Sequence, residues 1–142
     1  MKRIILPFLA SILFWACTEN EELSCDEKVC TMQFESVKVK FIDADGNALV
    51  VKDFSAYNSR TKKPISNLNT SLDTIYQKGY YEIANDLNKS ELSPEGDEII
   101  VTAKHPKTNV EKTAKFVVAG SISPCVSCSH ISKISGPEII NF

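Results

Sequence analysis

From Met32 onward, apolar side chains recur with a period of two, and no helical stripe extends beyond about ten residues. Val37, Val39 and Phe41 alternate with lysines, as expected of a strand with one buried face. This alternation predicts a domain made mostly of sheet. The predicted strands cover residues 37–41, 48–57, 71–77, 80–84, 98–104, 111–119, 129–134 and 138–142.

Turn residues separate these strands at the spacing expected of a sandwich. The stretch 43–47 has Asp-Gly-Asn turn chemistry, and residues 85–97 contain Pro94 and Gly96, which predicts a loop with at most one helical turn near Ser90. A chain of 142 residues has room for about one domain. We therefore expect an all-β fold, an antiparallel β-sandwich of about seven or eight strands with an Ig-like or transthyretin-like architecture.

The composition is that of a globular chain, with 43% hydrophobic and 24% charged residues and a formal charge of -2. Neither disorder nor a nucleic-acid partner is expected from such a balance. The sequence contains no nucleophile elbow, phosphate loop or dinucleotide fingerprint. We therefore expect no enzyme activity and no cofactor.

The N-terminus has the form of an export signal. Lys2 and Arg3 precede an uncharged apolar stretch, 4–16, which is too short to span a bilayer but suits the apolar core of a signal peptide. The stretch ends in Phe14-Trp15-Ala16-Cys17, which resembles a bacterial lipobox. This predicts lipidation of Cys17, which would hold the mature protein on a membrane. A plain signal peptide followed by an incidental cysteine is the alternative.

The segment after Cys17 is acidic and lacks apolar periodicity, as expected of a solvated tether. It is similar to the signals that follow the lipid cysteine in surface-exposed lipoproteins of the Bacteroidetes. We therefore predict a signal peptide over 1–16, a lipid-anchored tether with two cysteines over 17–30, and a sandwich domain over 31–142. The expected location is the outer membrane, with surface display favoured over a periplasm-facing position.

The remaining four cysteines form two pairs, one near each end of the mature chain: Cys25 and Cys30, and Cys125 and Cys128. Outside the cytoplasm an even set is most simply explained by two disulfides. Three connectivities are open. We favour bridges between the N-terminal and C-terminal pairs, because closing a longer loop gives the larger stabilisation. The first and last strands would then be neighbours.

A metal site is the sharper alternative, because these four cysteines and His130 supply five candidate zinc ligands. Zinc sites made of free thiols belong to reducing compartments, which argues against one in an exported chain. A redox role for Cys125-Val-Ser-Cys128 is disfavoured because a strand, not a helix N-terminus, is predicted after it.

Other polar residues have simpler interpretations. His130 is expected to be a partly buried strand residue beside a disulfide, and His105 to be exposed in a turn. Asp43, with Asp45 and Asn47, is expected to form a hairpin turn, because the glycine and Phe54 do not fit a calcium loop. The adjacent acids Glu21-Glu22 and Asp97-Glu98 are interpreted as solvated charges.

Several motifs together carry a family resemblance. They are the strand and turn Val37–Asn47, then Ala56-Tyr-Asn-Ser-Arg-Thr61, Asp73-Thr74 and Gly79-Tyr-Tyr-Glu-Ile83. They resemble the carboxypeptidase regulatory-like (transthyretin-like) β-sandwich over residues 35–104. The resemblance implies a non-catalytic module used for adhesion, packing or binding.

Taken together, these features predict a non-catalytic cell-envelope lipoprotein that acts as a binding or structural accessory. The expected partners are the membrane, through the lipid on Cys17, and an envelope protein or glycan. The alternative is an envelope metal-binding or thiol-redox protein that uses the cysteines and His130.

Overall fold

The computed structural model describes residues 34–68, 77–120 and 130–142, and these residues form two packed sheets. The strands are β1 (Ser36–Ile42), β2 (Lys52–Asn58), β3 (Lys63–Pro64), β4 (Tyr80–Asn85), β5 (Asp97–Lys104), β6 (Glu111–Ala119), β7 (Ser132–Ser135) and β8 (Ile139–Asn141). One sheet has the order β4-β1-β8, and the other has the order β3-β2-β5-β6-β7. The predicted all-β sandwich of about eight strands is confirmed.

The period-two pattern predicts these strands correctly because alternate side chains of each strand point into a common core. Phe41, Ile83, Ile99 and Phe116 are each 0% exposed, and they come from both sheets. The Phe41 ring meets Tyr81 edge to face, with ring centroids 5.4 Å apart. Side chains of this size each stabilise the fold by about 1.5 to 3 kcal/mol when fully buried.

The first and last strands are neighbours, as predicted, but their pairing is parallel. Lys40 lies opposite Ile139, and Ile42 lies opposite Asn141. The other strand pairs of the described residues are antiparallel. The parallel pair arises because the chain leaves β7 in one sheet, crosses the edge of the sandwich at Gly136 and enters β8 in the other. Gly136 has φ +129, and a Cβ there would collide with the Phe116 ring.

Several predicted elements differ from the structure, and the largest differences are the following. The second strand begins at Lys52, and of its predicted first residues Ala48 forms only an isolated bridge with Ile42. The chain crosses there from the sheet of β1 to the sheet of β2, so a continuous strand cannot form. The helical turn is a 3-10 turn at Asp86–Asn88 instead of near Ser90, because the Asn85 side chain caps it. The predicted strand 71–77 lies outside the described residues except for Gln77, which is in a turn.

The predicted lipid site Cys17 and the four other cysteines, Cys25, Cys30, Cys125 and Cys128, also lie outside the described residues. Within those residues, no helix is long and apolar enough to cross a membrane.

Candidate functional site

The sandwich has two ends with different polar chemistry. The first, here called the Asp86 end, contains the start of β1, β5 and β7 and the end of β2, β4 and β6, as the strand registers require. The loop after Asp86 connects the sheets across this end, and Gly120 N–H donates to Ser93 O at 3.0 Å. The opposite Asp43 end contains the turn after β1, His105 and Phe142.

The Asp86 carboxylate joins three separate parts of the chain. Its Oδ2 accepts from the Glu35 N–H at 2.9 Å and lies 3.0 Å from His130 Nδ1, while Oδ1 accepts from the Ile131 N–H at 3.0 Å. The side chain is only 13% exposed. Burial alone would raise the pKa of Asp86, but these hydrogen bonds together hold that pKa below its ordinary value.

His130 is partly buried, as predicted, but it precedes β7 instead of lying within it. Its Nδ1 must carry a proton in order to donate a hydrogen bond to an ionised Asp86. Glu35 N and His130 Nδ1 share one oxygen, so the two atoms can be no further apart than the sum of their distances to it. Glu35 and His130 therefore lie beside each other at the Asp86 end.

His130 is the single candidate zinc ligand from the sequence that falls within the described residues. Among residues 34–68, 77–120 and 130–142, no group of three or more His, Cys, Asp or Glu side chains is placed to hold a metal ion.

The prediction that Asp97 is a solvated charge is wrong, because this carboxylate is buried and paired. Its side chain is 2% exposed and forms a two-point ion pair with Arg60, at 2.5 Å from Nε and 2.8 Å from Nη2. It also accepts from Asn58 Nδ2 at 2.8 Å and the Ser93 N–H at 3.1 Å. The hydrogen bond from Arg60 is the main cause that lowers the pKa of Asp97. Glu98 does behave as expected, with 41% exposure and an ion pair to Lys115.

Asn58 shows why this pair forms where β2 ends. Its Oδ1 accepts from the Arg60 N–H at 2.8 Å and the Thr61 N–H at 3.1 Å, which caps the turn. Its Nδ2 donates to Asp97, and the side chain is 1% exposed. The buried Asn58 amide thus fixes the backbone of the turn and also the position of the Asp97 carboxylate that binds Arg60.

A groove of about 480 Å³, lined mainly by residues with polar or charged side chains, adjoins this network. Its lining contains two cationic residues, one acid, three hydroxyl residues and a proline: Arg60, Lys63, Glu91, Thr61, Ser66, Ser90 and Pro64. Arg60 Nη2 donates to the Glu91 carbonyl at 3.0 Å, and Ser66 Oγ donates to Glu91 Oε1 at 3.2 Å. These bonds connect the loop before β5 to the turn and strand that follow β2. We refer to this cavity as the Arg60 groove.

The Asp43 end is simpler. Asp43 Oδ1 accepts from the N–H groups of Asp45 at 3.0 Å and Asn47 at 2.8 Å, which confirms the predicted turn. An Ile42–Ala48 bridge closes it. His105 is half-buried, so its predicted exposure is wrong. Its Nδ1 accepts from the Lys107 and Thr108 N–H groups, and its ring packs on Phe142 at 5.7 Å.

Comparison with known proteins gives no match to a family model, a curated protein or a solved structure. The resemblance to the carboxypeptidase regulatory-like sandwich therefore stays a prediction.

The sequence did not predict the residues that hold the Asp86 end together. Most hydrogen-bond partners of the Asp86, Arg60 and Asp97 side chains lie 37 to 51 positions away along the chain. No local sequence pattern can therefore predict these contacts. Asn58 offered the one local signal, because an Asn followed by a polar turn is a known capping pattern.

Proposed function

We propose that this protein is a non-catalytic, lipid-anchored accessory of a bacterial outer membrane, displayed at the cell surface, that binds a ligand in the Arg60 groove. The observation that carries the binding function is the groove itself. It is about 480 Å³, but cavities of about 300 Å³ and about 310 Å³ occur elsewhere among the described residues, so its size alone does not mark it as a ligand site. Its arginine is held in place by a carboxylate that is 2% exposed.

The anchor is supported by the sequence. The basic residues Lys2 and Arg3 and the short apolar stretch have the form of a signal peptide, and Ala16-Cys17 resembles the end of a lipobox. Removal of residues 1–16 would leave a chain held by its acyl groups, for which two or more chains give stable attachment.

Disulfides between the two cysteine pairs are compatible with the meeting of Glu35 and His130 at Asp86. Cys30 lies five residues before Glu35, and Cys128 lies two residues before His130. Extended chain covers about 3.3 to 3.6 Å per residue, so both segments are long enough to meet beside Asp86. Bridges there would fasten the tether to the end of the domain at which the groove opens.

Intact mass spectrometry of the protein from its native membrane tests the anchor and the bridges. We expect residues 17–142 plus acyl chains, with four thiols released only on reduction. An unacylated mature chain, or thiols free before reduction, would contradict this part of the proposal.

Binding at the groove is tested separately with the lipoprotein in detergent micelles and with cell envelopes from which the lipids have been extracted, so that the acyl chains on Cys17 have no membrane to enter. Ser90 lines the groove and is exposed, so Ser90→Trp should fill it without disturbing the core. Ser135→Trp, at the exposed last residue of β7, is the matched control. We expect only Ser90→Trp to lose retention on the envelopes. Equal retention of both variants would rule out the groove as the binding site.

The alternative function is an envelope metal-binding or thiol-redox protein that uses Cys25, Cys30, Cys125, Cys128 and His130. One observation favours it. A histidine that donates one ring nitrogen to a carboxylate, as His130 does to Asp86, has the arrangement common for zinc-ligating histidines. Thiol titration with and without denaturant, together with zinc analysis, separates the two. Free thiols with one bound zinc per chain would favour this alternative.

A further inference from the structure

The Arg60 groove contains a guanidinium that is already fixed in position. Two of its nitrogens, Nε and Nη2, are engaged by Asp97, and Asp97 is itself held by Asn58 and Ser93. Arginine side chains normally lose much conformational freedom when they bind a ligand. In this groove that loss has already occurred on folding, so a ligand gains a rigid donor at little cost.

The third nitrogen of Arg60 remains for a ligand. Nη1 has no hydrogen-bond partner among the described residues, although 54% of the side chain is exposed. Lys63 lines the same groove and forms no ion pair within the described part of the chain. Two cationic donors that line one groove suit the charge of a carboxylate, which can accept from both.

The rest of the lining matches a ligand with several hydroxyl groups. Thr61, Ser66 and Ser90 supply hydroxyls that can both donate and accept, and Glu91 supplies a carboxylate that accepts. The charge of Arg60 is already balanced by Asp97, and Glu91 lines the same groove as Lys63. The groove therefore has little net positive charge, which suits a single carboxylate better than a phosphate dianion. A sugar acid suits both kinds of lining group, since its carboxylate can bind the cations while its hydroxyls bind Glu91 and the serines.

We propose that the Arg60 groove binds a glycan unit that bears a carboxylate, with the carboxylate on Arg60 Nη1 and Lys63 and the ring hydroxyls on Ser66, Ser90 and Glu91. This assignment rests on the proposed binding function and names its ligand class. Phosphorylated sugars and neutral sugars are the competing ligands, and both are included in the test.

Calorimetric titration of the purified lipoprotein with trigalacturonate and with its methyl ester isolates the charge, since the two differ only at the carboxyl groups. We expect the acid to bind about 10-fold or more tightly than the ester, the size of one charge-assisted contact. Lys63→Glu should remove most of this preference because it reverses one cation. Lys107→Glu, in the exposed turn at the Asp43 end, should leave it unchanged.

Lys63 and Ser90 are exposed and make no side-chain bond within the described residues, so Lys63→Glu and Ser90→Ala test the ligand without removing the buried pair. Equal affinity for acid and ester, no effect of Lys63→Glu, or tighter binding of a sugar phosphate would each overturn the assignment. If envelope retention is lost in Ser90→Trp but trigalacturonate does not bind, the ligand class is wrong while the proposed binding function stands.

Discussion

Aspartates at the two ends of the sandwich use the same functional group in opposite ways. Asp43 is exposed and bonds residues two and four positions ahead. Asp97 and Asp86 are 2% and 13% exposed, and most of their partners lie 37 to 51 positions away. The first closes a turn, whereas the other two connect separate parts of the fold. The comparison teaches that burial and sequence separation, more than residue type, decide how much of the structure a carboxylate holds.

Removing the most buried carboxylate should have the largest effect. Asp97→Ala leaves Asn58 Nδ2 and the Ser93 N–H without their acceptor and ends the ion pair with Arg60. We expect the free energy of unfolding to fall by about 3 to 5 kcal/mol, as for other buried pairs that lose one partner. Denaturant unfolding followed by circular dichroism measures it. A loss no larger than that of an exposed substitution would mean that this network contributes little.

Removing the Asp86 carboxylate should lower the free energy of unfolding by less. Two of its three hydrogen-bond donors are backbone N–H groups, and its side chain is slightly more exposed than that of Asp97. For Asp86→Ala we expect a loss of about 2 kcal/mol. The amide hydrogens of Glu35 and Ile131 should exchange faster, while those of the β5–β6 ladder should not. Unchanged exchange at both amides would contradict the role of Asp86 as a junction.

Acidification should affect the Asp86 end through both carboxyls. Their folded-state pKa values lie below the ordinary value of about 3.9, so their stabilisation is fully present above that pH and is lost as the pH falls through the folded pKa. Denaturation midpoints measured from about pH 6 to about pH 2.5 should therefore fall most steeply at the acid end. Asp97→Asn should flatten this dependence. Parallel curves for the variant and the parent would show that Asp97 is not the cause.

The same comparison explains what could be predicted from the sequence. The strands β1, β5 and β6 were found because their alternating residues record which face is buried, and the Asp43 turn was found because all its bonds are local. The prediction that Asp97 is solvated is wrong, because the local sequence does not distinguish this buried acid from its exposed neighbour Glu98. Burial of Asp97 depends on Arg60 and Asn58 approaching from another strand, and no local pattern contains that information.

The Asp43 end provides the smallest expected effect and the sharpest test of the comparison. Asp43→Ala removes the side-chain acceptor for the Asp45 and Asn47 N–H groups, both of which can bond water instead because the turn is exposed. The unfolding midpoint should therefore shift less than for Asp86→Ala, with faster hydrogen exchange confined to the turn. Asp43→Asn should restore slow exchange, because an amide oxygen can accept the same bonds. If Asp43→Ala instead destabilised the protein as much as Asp97→Ala, burial would not be what separates the two ends.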